Sequence, residues 1–110
     1  MRDYNERLLD ILEAIKNIEK YASHGHETFE HDELIQTWIV HHLQIIGEAA
    51  SALPDSFRDK YPEVPWSKII GMRNILVHNY FGVDADVVWA VVVNDLPDLR
   101  QKIVNAIRNK

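Results

Sequence analysis

The chain contains no cysteine. Disulfide bonds and thiolate ligands for a metal are therefore excluded, and a protein that depends on a disulfide framework is excluded with them. A chain without cysteine is compatible with a reducing compartment, and we expect the protein to be cytoplasmic.

The chain also lacks a long apolar run and a signal-peptide pattern. No apolar stretch is long enough to cross a bilayer, and the N-terminus is crowded with polar residues (Arg2, Asp3, Asn5 and Glu6). No linker, repeat or low-complexity tract divides the 110 residues. We therefore expect a single domain over residues 1–110 with no membrane contact.

Positive charge is scarce. The chain has 12 Lys and Arg against 17 Asp and Glu, a formal net charge of -5. A protein that coats nucleic acid without sequence preference is normally basic. If RNA is the target, its contact must be local, be built from more than one copy of the chain, or be helped by a partner.

What the sequence does contain is helical periodicity. One apolar stripe, spaced alternately by four and three residues, comprises Tyr4, Leu8, Ile11, Ile15, Ile18 and Ala22. After a break at 23–26, a second helix is predicted from about Thr28 to Pro54. It has one apolar face with Ile35, Ile39, His42, Ile46, Ala49 and Leu53, and a neighbouring stripe with Leu34, Trp38, His41 and Ile45. This helix is therefore expected to be buried on two sides.

The second half of the chain predicts two more long helices. Residues 54–65 hold three prolines and favour a loop with at most a short helical turn. A third helix starts near Trp66, with Gly82 as a stop signal and Asp84 as the N-cap of a fourth. Residues 87–93 are uniformly apolar and rich in β-branched residues, which favours a strand. No partner strand is visible, however, so we expect a helix that is entirely buried at its start, with Pro97 kinking it or beginning a new segment capped by Asp95.

These elements predict an all-α fold, an up-and-down bundle of four long helices with a short extra helical segment. The apolar start of the last helix exceeds what one small bundle usually covers. A symmetric homodimer is the simplest remedy.

The octet from Arg73 to Tyr80 (RNILVHNY) carries the chemistry. A guanidinium holds phosphate and an imidazole moves protons near neutral pH. Cleavage of RNA by its own 2′-hydroxyl needs a base, an acid and positive charge on the phosphate. Arg73 and His78 supply the charge and one proton carrier, and two octets facing each other across a dimer axis would supply the second carrier. The same cluster can also be structural, with Arg73 paired to a buried carboxylate such as Glu48, His78 capping carbonyls and Tyr80 in the core.

Other residues have a functional and a structural interpretation. Lys68, with Arg58 and Lys60, could line the rim of a cleft and bind RNA phosphates, or be ordinary solvated charge. The tryptophans could stack bases, although Trp38 and Trp89 lie on core stripes. The six histidines include His24, His26 and His31 and the adjacent His41 and His42, but no carboxylate or cysteine completes a set with metal-site spacing. We expect no metal and no cofactor, and His42 is expected to be a hydrogen-bonded core residue.

The octet resembles the signature of the HEPN superfamily, Arg, four residues, His, one residue, Tyr, in the form carried by HepT-like toxins. The similarity extends over nearly the whole chain and includes Ile45–Ala50, Leu53–Pro54, Tyr61–Pro62, Pro65–Trp66, Ile69–Met72, Phe81–Asp84 and Asn94–Pro97.

This resemblance implies a helical homodimer with a composite cleft that acts as a metal-independent endoribonuclease. Arg73 and His78 would be catalytic, and Asn79 would assist with phosphate or substrate. Tyr80 would be the residue that a minimal nucleotidyltransferase antitoxin modifies with AMP, which adds bulk and negative charge where the RNA phosphate must lie.

Two alternatives stay open. The chain could be a catalytically inactive helical-bundle subunit that binds a nucleotidyltransferase and positions its substrate. It could also be a structural dimerisation module, in which case the Arg73→Ala substitution should unfold it.

Overall fold

The computed structural model describes residues 4–77 and 85–108. Within these ranges the protein is all-α and contains no strand. None of the helices described is both long enough and apolar enough to cross a membrane.

Helix α1 spans Tyr4–Ala22, as its apolar stripe predicts. The four central stripe residues (Leu8, Ile11, Ile15 and Ile18) are fully buried. The stripe is less buried at its ends. Tyr4 is 46% exposed, and its ring lies against Phe57 with the ring centroids 5.3 Å apart.

The second predicted helix is two helices, α2 (His26–His31) and α3 (Glu33–Ser51). The predicted break before it is confirmed at Gly25, whose φ of 99° suits glycine. The prediction of one continuous helix was wrong because Asp32 is extended and its carboxylate accepts hydrogen bonds from the amides of Leu34 and Ile35 at 2.9 and 3.2 Å. This N-cap starts a new helix.

The proline-rich stretch forms a short helix, α4 (Asp55–Asp59), and a loop that leads into α5 (Trp66–Val77), as predicted. Trp66 stabilises this loop, because its indole Nε1–H donates to the carbonyls of both Arg58 and Tyr61, at 3.1 and 3.0 Å. The predicted stop at Gly82 and cap at Asp84 lie outside the described residues.

The last part of the chain is helical, which confirms the choice of helix over strand for residues 87–93. It consists of α6 (Ala85–Ala90), a π-helical stretch (Val91–Asp95) and α7 (Leu96–Arg108). The amide of Leu96 bonds to the carbonyl of Val91, five residues back. Pro97 has no N–H, and a wider turn just before it accommodates the missing bond. Asp95 lies inside this continuous helical run, so the prediction that it caps a separate segment was wrong.

The four long helical units are α1, α3, α5 and the run from α6 to α7, which confirms the predicted bundle. Among the described residues two short helices, α2 and α4, occur instead of one extra segment. Helix α3 is central and packs against both α1 and α5, while α7 packs against the outer side of α1. The core is a single cluster of aliphatic side chains with Phe29 and Phe57.

Two predicted burials are wrong for the single chain. The second stripe of α3 is largely open to solvent, with Leu34 83% and Trp38 37% exposed. In the last helix Val88 and Val92 are buried, but Val87 and Val93 are 50% and 46% exposed. These exposed side chains form apolar surface that the single chain does not cover. Homodimerisation stays a prediction.

Candidate active site at the contact of α3 and α5

The site is built where α3 crosses α5 at very short distance. A Cβ placed on Gly47 of α3 would lie 3.1 Å from the Cβ of Arg73 and 3.2 Å from the carbonyl oxygen of Ile69, both on α5. Two of the next three residues, Ala49 and Ala50, are also small and are buried. This contact fixes the backbone position from which the Arg73 side chain starts.

The Arg73 guanidinium is held by two groups of α3. Its Nη1 lies 3.8 Å from Oε1 of Glu48 and donates a hydrogen bond of 3.3 Å to Oγ of Ser51. Ser51 in turn donates to the carbonyl of Glu48 at 2.8 Å. The pairing of Arg73 with Glu48 follows the sequence prediction. Ser51 was not predicted, although its position three residues after Glu48 places it on the same face of the helix.

The predicted burial of Glu48 is wrong. Its side chain is 68% exposed, and that of Arg73 is 34% exposed. An ion pair this open to solvent contributes at most about 1 kcal/mol to stability. Its main effect is to orient a guanidinium that stays accessible to an anion from solution.

His78, Asn79 and Tyr80 lie outside the described residues. In the sequence His78 directly follows Val77, the last residue of α5. Arg73 is four residues before Val77, so the described part of the site is the last turn and a half of this helix.

Lys68 is joined to Asp95, with its Nζ 3.0 Å from the carboxylate Oδ2. Since Lys68 is five residues before Arg73, the two side chains point about 140° apart around α5. The contact of Lys68 instead connects α5 to the π-helical stretch. It therefore links the helices that flank residues 78–84 in the sequence.

The other two basic residues of the predicted rim lie at α4. Arg58 pairs with Asp55 within this helix, and Lys60 is its C-cap residue. A role of these residues in binding RNA phosphates stays a prediction.

The histidines and tryptophans divide between core and surface. His42 is buried, and its Nδ1–H donates to the carbonyl of Trp38 at 2.8 Å, which confirms a hydrogen-bonded core histidine. Trp38 donates from Nε1 to the carbonyl of Asn17 at 2.8 Å. Trp89 packs on Phe29 with ring centroids 5.3 Å apart. These contacts support the packing interpretation of both tryptophans.

One set of potential metal ligands occurs among the described residues. Ligand atoms of His26, Glu30 and Asp86 lie within 4.8 Å of one another, and all three residues are exposed. We predicted that no carboxylate would complete a set of metal ligands with the histidines. This was wrong, because α6 places Asp86 next to His26 and Glu30 of α2. His26 already contacts Glu30 at 3.4 Å and stacks on Trp89.

Residues 11–106 match the family described as ribonuclease HepT-like. The chain belongs to this family. The matched range includes Gly47, Glu48, Ser51 and the whole octet.

Relatives support the same assignment. The chain is 40% identical to a probable ribonuclease HepT of Thermococcus cleftensis over 92% of this chain and 93% of the relative. It is 35% identical to a candidate RNase of Methanocaldococcus jannaschii (93% of this chain, 94% of the relative). It is also 35% identical to a candidate RNase of Caldanaerobacter subterraneus subsp. tengcongensis (99% and 96%). No solved structure matches the chain significantly.

The close contact at Gly47 predicts opposite effects for two glycine-to-alanine substitutions. Gly47→Ala should lower the free energy of unfolding by about 1 to 2 kcal/mol, because overpacking outweighs the gain in helix propensity. Gly71→Ala is the matched control, since a Cβ there meets nothing within 4 Å. It should be neutral or stabilising by up to about 1 kcal/mol. Urea unfolding followed by circular dichroism measures both, and equal stability of the two variants would contradict the contact.

Proposed function

We propose that this protein is a metal-independent endoribonuclease in which Arg73 holds the scissile phosphate and His78 carries a proton. The observation that supports it most directly is the accessible guanidinium of Arg73, held by Glu48 and Ser51 four residues before the end of α5. Membership of the HepT-like ribonuclease family supports RNA as the substrate.

The reaction requires a base, an acid and positive charge on the phosphate. A base removes the proton of the 2′-hydroxyl, and the 2′-oxygen forms a bond to phosphorus. The bond from phosphorus to the 5′-oxygen breaks, and that oxygen receives a proton from an acid. The products are a 2′,3′-cyclic phosphate and a 5′-hydroxyl, so no water, metal or redox partner is consumed in this step.

Arg73 is suited to the phosphate because its charge does not titrate in the working pH range. A guanidinium has five N–H donors in a planar fork that matches two phosphate oxygens. The contacts to Glu48 and Ser51 both use Nη1. These contacts by themselves occupy a minority of the donors, and they fix the plane of the fork. Asn79 would add an amide donor next to His78.

A second copy of the chain would complete the proton transfers. One octet offers a single histidine, whereas the reaction uses a base and an acid. In a homodimer with two octets in one cleft, each histidine could take one role and the two arginines would add their charge. The exposed apolar side chains Leu34, Trp38, Val87 and Val93 support self-association.

We further propose that a minimal nucleotidyltransferase acts as the antitoxin by transferring AMP to Tyr80. The phenol is two residues from His78 in the sequence. An attached nucleotide would put bulk and negative charge beside the catalytic imidazole, where it would compete with the RNA phosphate.

The central test is cleavage of a mixed RNA pool in excess EDTA by wild type and by His78→Ala. We expect wild type to cleave and the variant to lose all measurable activity, because the proton carrier is gone. Sedimentation equilibrium of both preparations provides the control, since the composite cleft requires the mass of two chains. Equal traces of cleavage in both would favour the catalytically inactive subunit that positions a substrate for a nucleotidyltransferase.

Arg73→Ala separates a catalytic from a structural role. Because the ion pair with Glu48 is open to solvent, the variant should lose no more than about 1 kcal/mol of stability. Its cleavage rate should fall by about a hundredfold or more. Leu43→Ala, at a side chain that is 1% exposed, is the comparison for real core damage, with a loss of about 2 to 5 kcal/mol. An unfolded Arg73→Ala would instead indicate a structural dimerisation module.

Mass spectrometry tests the modification. After incubation with a minimal nucleotidyltransferase and ATP, wild type should gain the mass of AMP on Tyr80 and lose cleavage. Tyr80→Phe should gain no mass and keep its activity in the same mixture. AMP found on another residue, or activity kept by the modified protein, would refute silencing through Tyr80.

A further inference from the structure

An open groove lies between α1 and α3, and one of its lining residues is Glu48, which contacts Arg73. Its volume is about 380 Å³, within the range of small-ligand pockets. It is lined by Arg7 and Asp10 of α1 and by His41, Gln44, Ile45, Glu48 and Ala49 of α3.

The α3 wall of the groove is a polar stripe that leads to the catalytic arginine. His41, Gln44, Glu48 and Ser51 are spaced by three, four and three residues, so they share one face of the helix. Glu48 and Ser51 are the residues that hold Arg73. From Glu48 back to His41 the stripe extends about 10 Å along the helix axis. The groove and the Arg73 site therefore share Glu48.

The α1 wall contributes a second cation. Arg7 is half-buried and lines the groove. Glu48 contacts Arg73 and lines the groove together with Arg7. The groove thus offers one further point for an anion close to the proposed scissile phosphate.

The remaining lining is suited to a base rather than to more phosphate. Asp10 and Glu48 keep the groove from being uniformly positive, which disfavours an extended phosphate track. Single-stranded RNA is commonly recognised by stacking a splayed base on a side chain such as histidine and by hydrogen bonds to its edge. His41 is exposed and can stack, and the amide of Gln44 can both donate and accept.

We propose that this groove binds the RNA nucleotide adjacent to the scissile phosphate, with Arg7 on its phosphate and with His41 and Gln44 on its base. The inference rests on the proposed ribonuclease function and adds to it a built-in preference at one position of the RNA. It also accounts for how an acidic chain holds RNA, because two fixed cations and one base contact replace a basic surface.

Binding of a 2′-O-methyl oligoribonucleotide tests the phosphate contact. This probe carries the mapped cleavage sequence but has no free 2′-hydroxyl, so fluorescence anisotropy reads affinity alone. Arg7→Gln should weaken binding about tenfold, the loss expected for one charge-assisted contact. The slope of log affinity against log salt should become shallower by about 0.7.

Arg100→Gln is the matched control. Arg100 pairs with Glu19 at 3.7 Å, and Glu19 is about 18 Å further along α1 than Arg7. This variant removes the same charge from the same molecule and should leave the affinity and the salt slope unchanged. An equal loss in both variants would mean that net charge, and not the groove, controls binding.

The base contact is tested by a double-mutant cycle that combines the Gln44→Ala substitution in the protein with removal of the base from the RNA. Cleavage is measured on an oligonucleotide with a normal and with an abasic nucleotide next to the cleaved bond. Loss of the base should lower kcat/KM of wild type about tenfold and should have a much smaller effect on Gln44→Ala, because the contact is already gone. The same loss in both proteins would overturn the assignment of Gln44 to the base.

The outcomes separate this inference from the proposed function. If wild type neither cleaves nor binds RNA, the ribonuclease proposal fails and the groove assignment falls with it. If wild type cleaves and Arg7→Gln binds the oligonucleotide equally well, only the groove assignment is overturned. If Arg7→Gln changes the sedimentation mass instead of RNA affinity, the groove is a contact between copies of the chain, and the inference is again overturned.

Discussion

The close approach of α3 and α5 at Gly47 is the constraint on which the described site depends. With no side chain at position 47, the backbone of α5 comes near enough for Arg73 to reach Glu48 and Ser51. A wider separation of a few tenths of an ångström would lengthen contacts that are already 3.8 and 3.3 Å. Orientation of the guanidinium is therefore a property of helix packing and not of α5 alone.

The weakness of the ion pair is compatible with function. A buried carboxylate would hold Arg73 tightly but would also withdraw it from an incoming phosphate. Glu48 is mostly solvated, so a phosphate can replace it at little cost in free energy. The hydrogen bond from Ser51 to the carbonyl of Glu48 keeps the hydroxyl in place during such an exchange. The protein contacts thus orient the Arg73 guanidinium and still leave it accessible to a phosphate.

The acidic composition and an RNA substrate are reconciled by where the cations lie. Several basic residues are engaged within the protein: Lys68 with Asp95, Arg100 with Glu19, and Lys102 with Asp98. Arg73 is paired only with the largely solvated Glu48 and with Ser51 among the described residues, and Arg7 lines the groove that Glu48 shares. Local placement can thus replace overall positive charge, provided that the RNA is held at a few points.

The sequence by itself determined the helical class, most of the long helices, the burial of His42 and the pairing of Arg73 with Glu48. Helical periodicity identifies an apolar face, and complementary charges identify a pair. Only the tertiary structure decided that Asp32 splits the second helix, that Pro97 is preceded by a π-helical stretch, and that Glu48 is exposed. It also revealed Ser51 and the groove with Arg7 and His41. These features depend on the distance between helices, which is set by packing among residues far apart in the chain, and periodicity along one helix does not encode that distance.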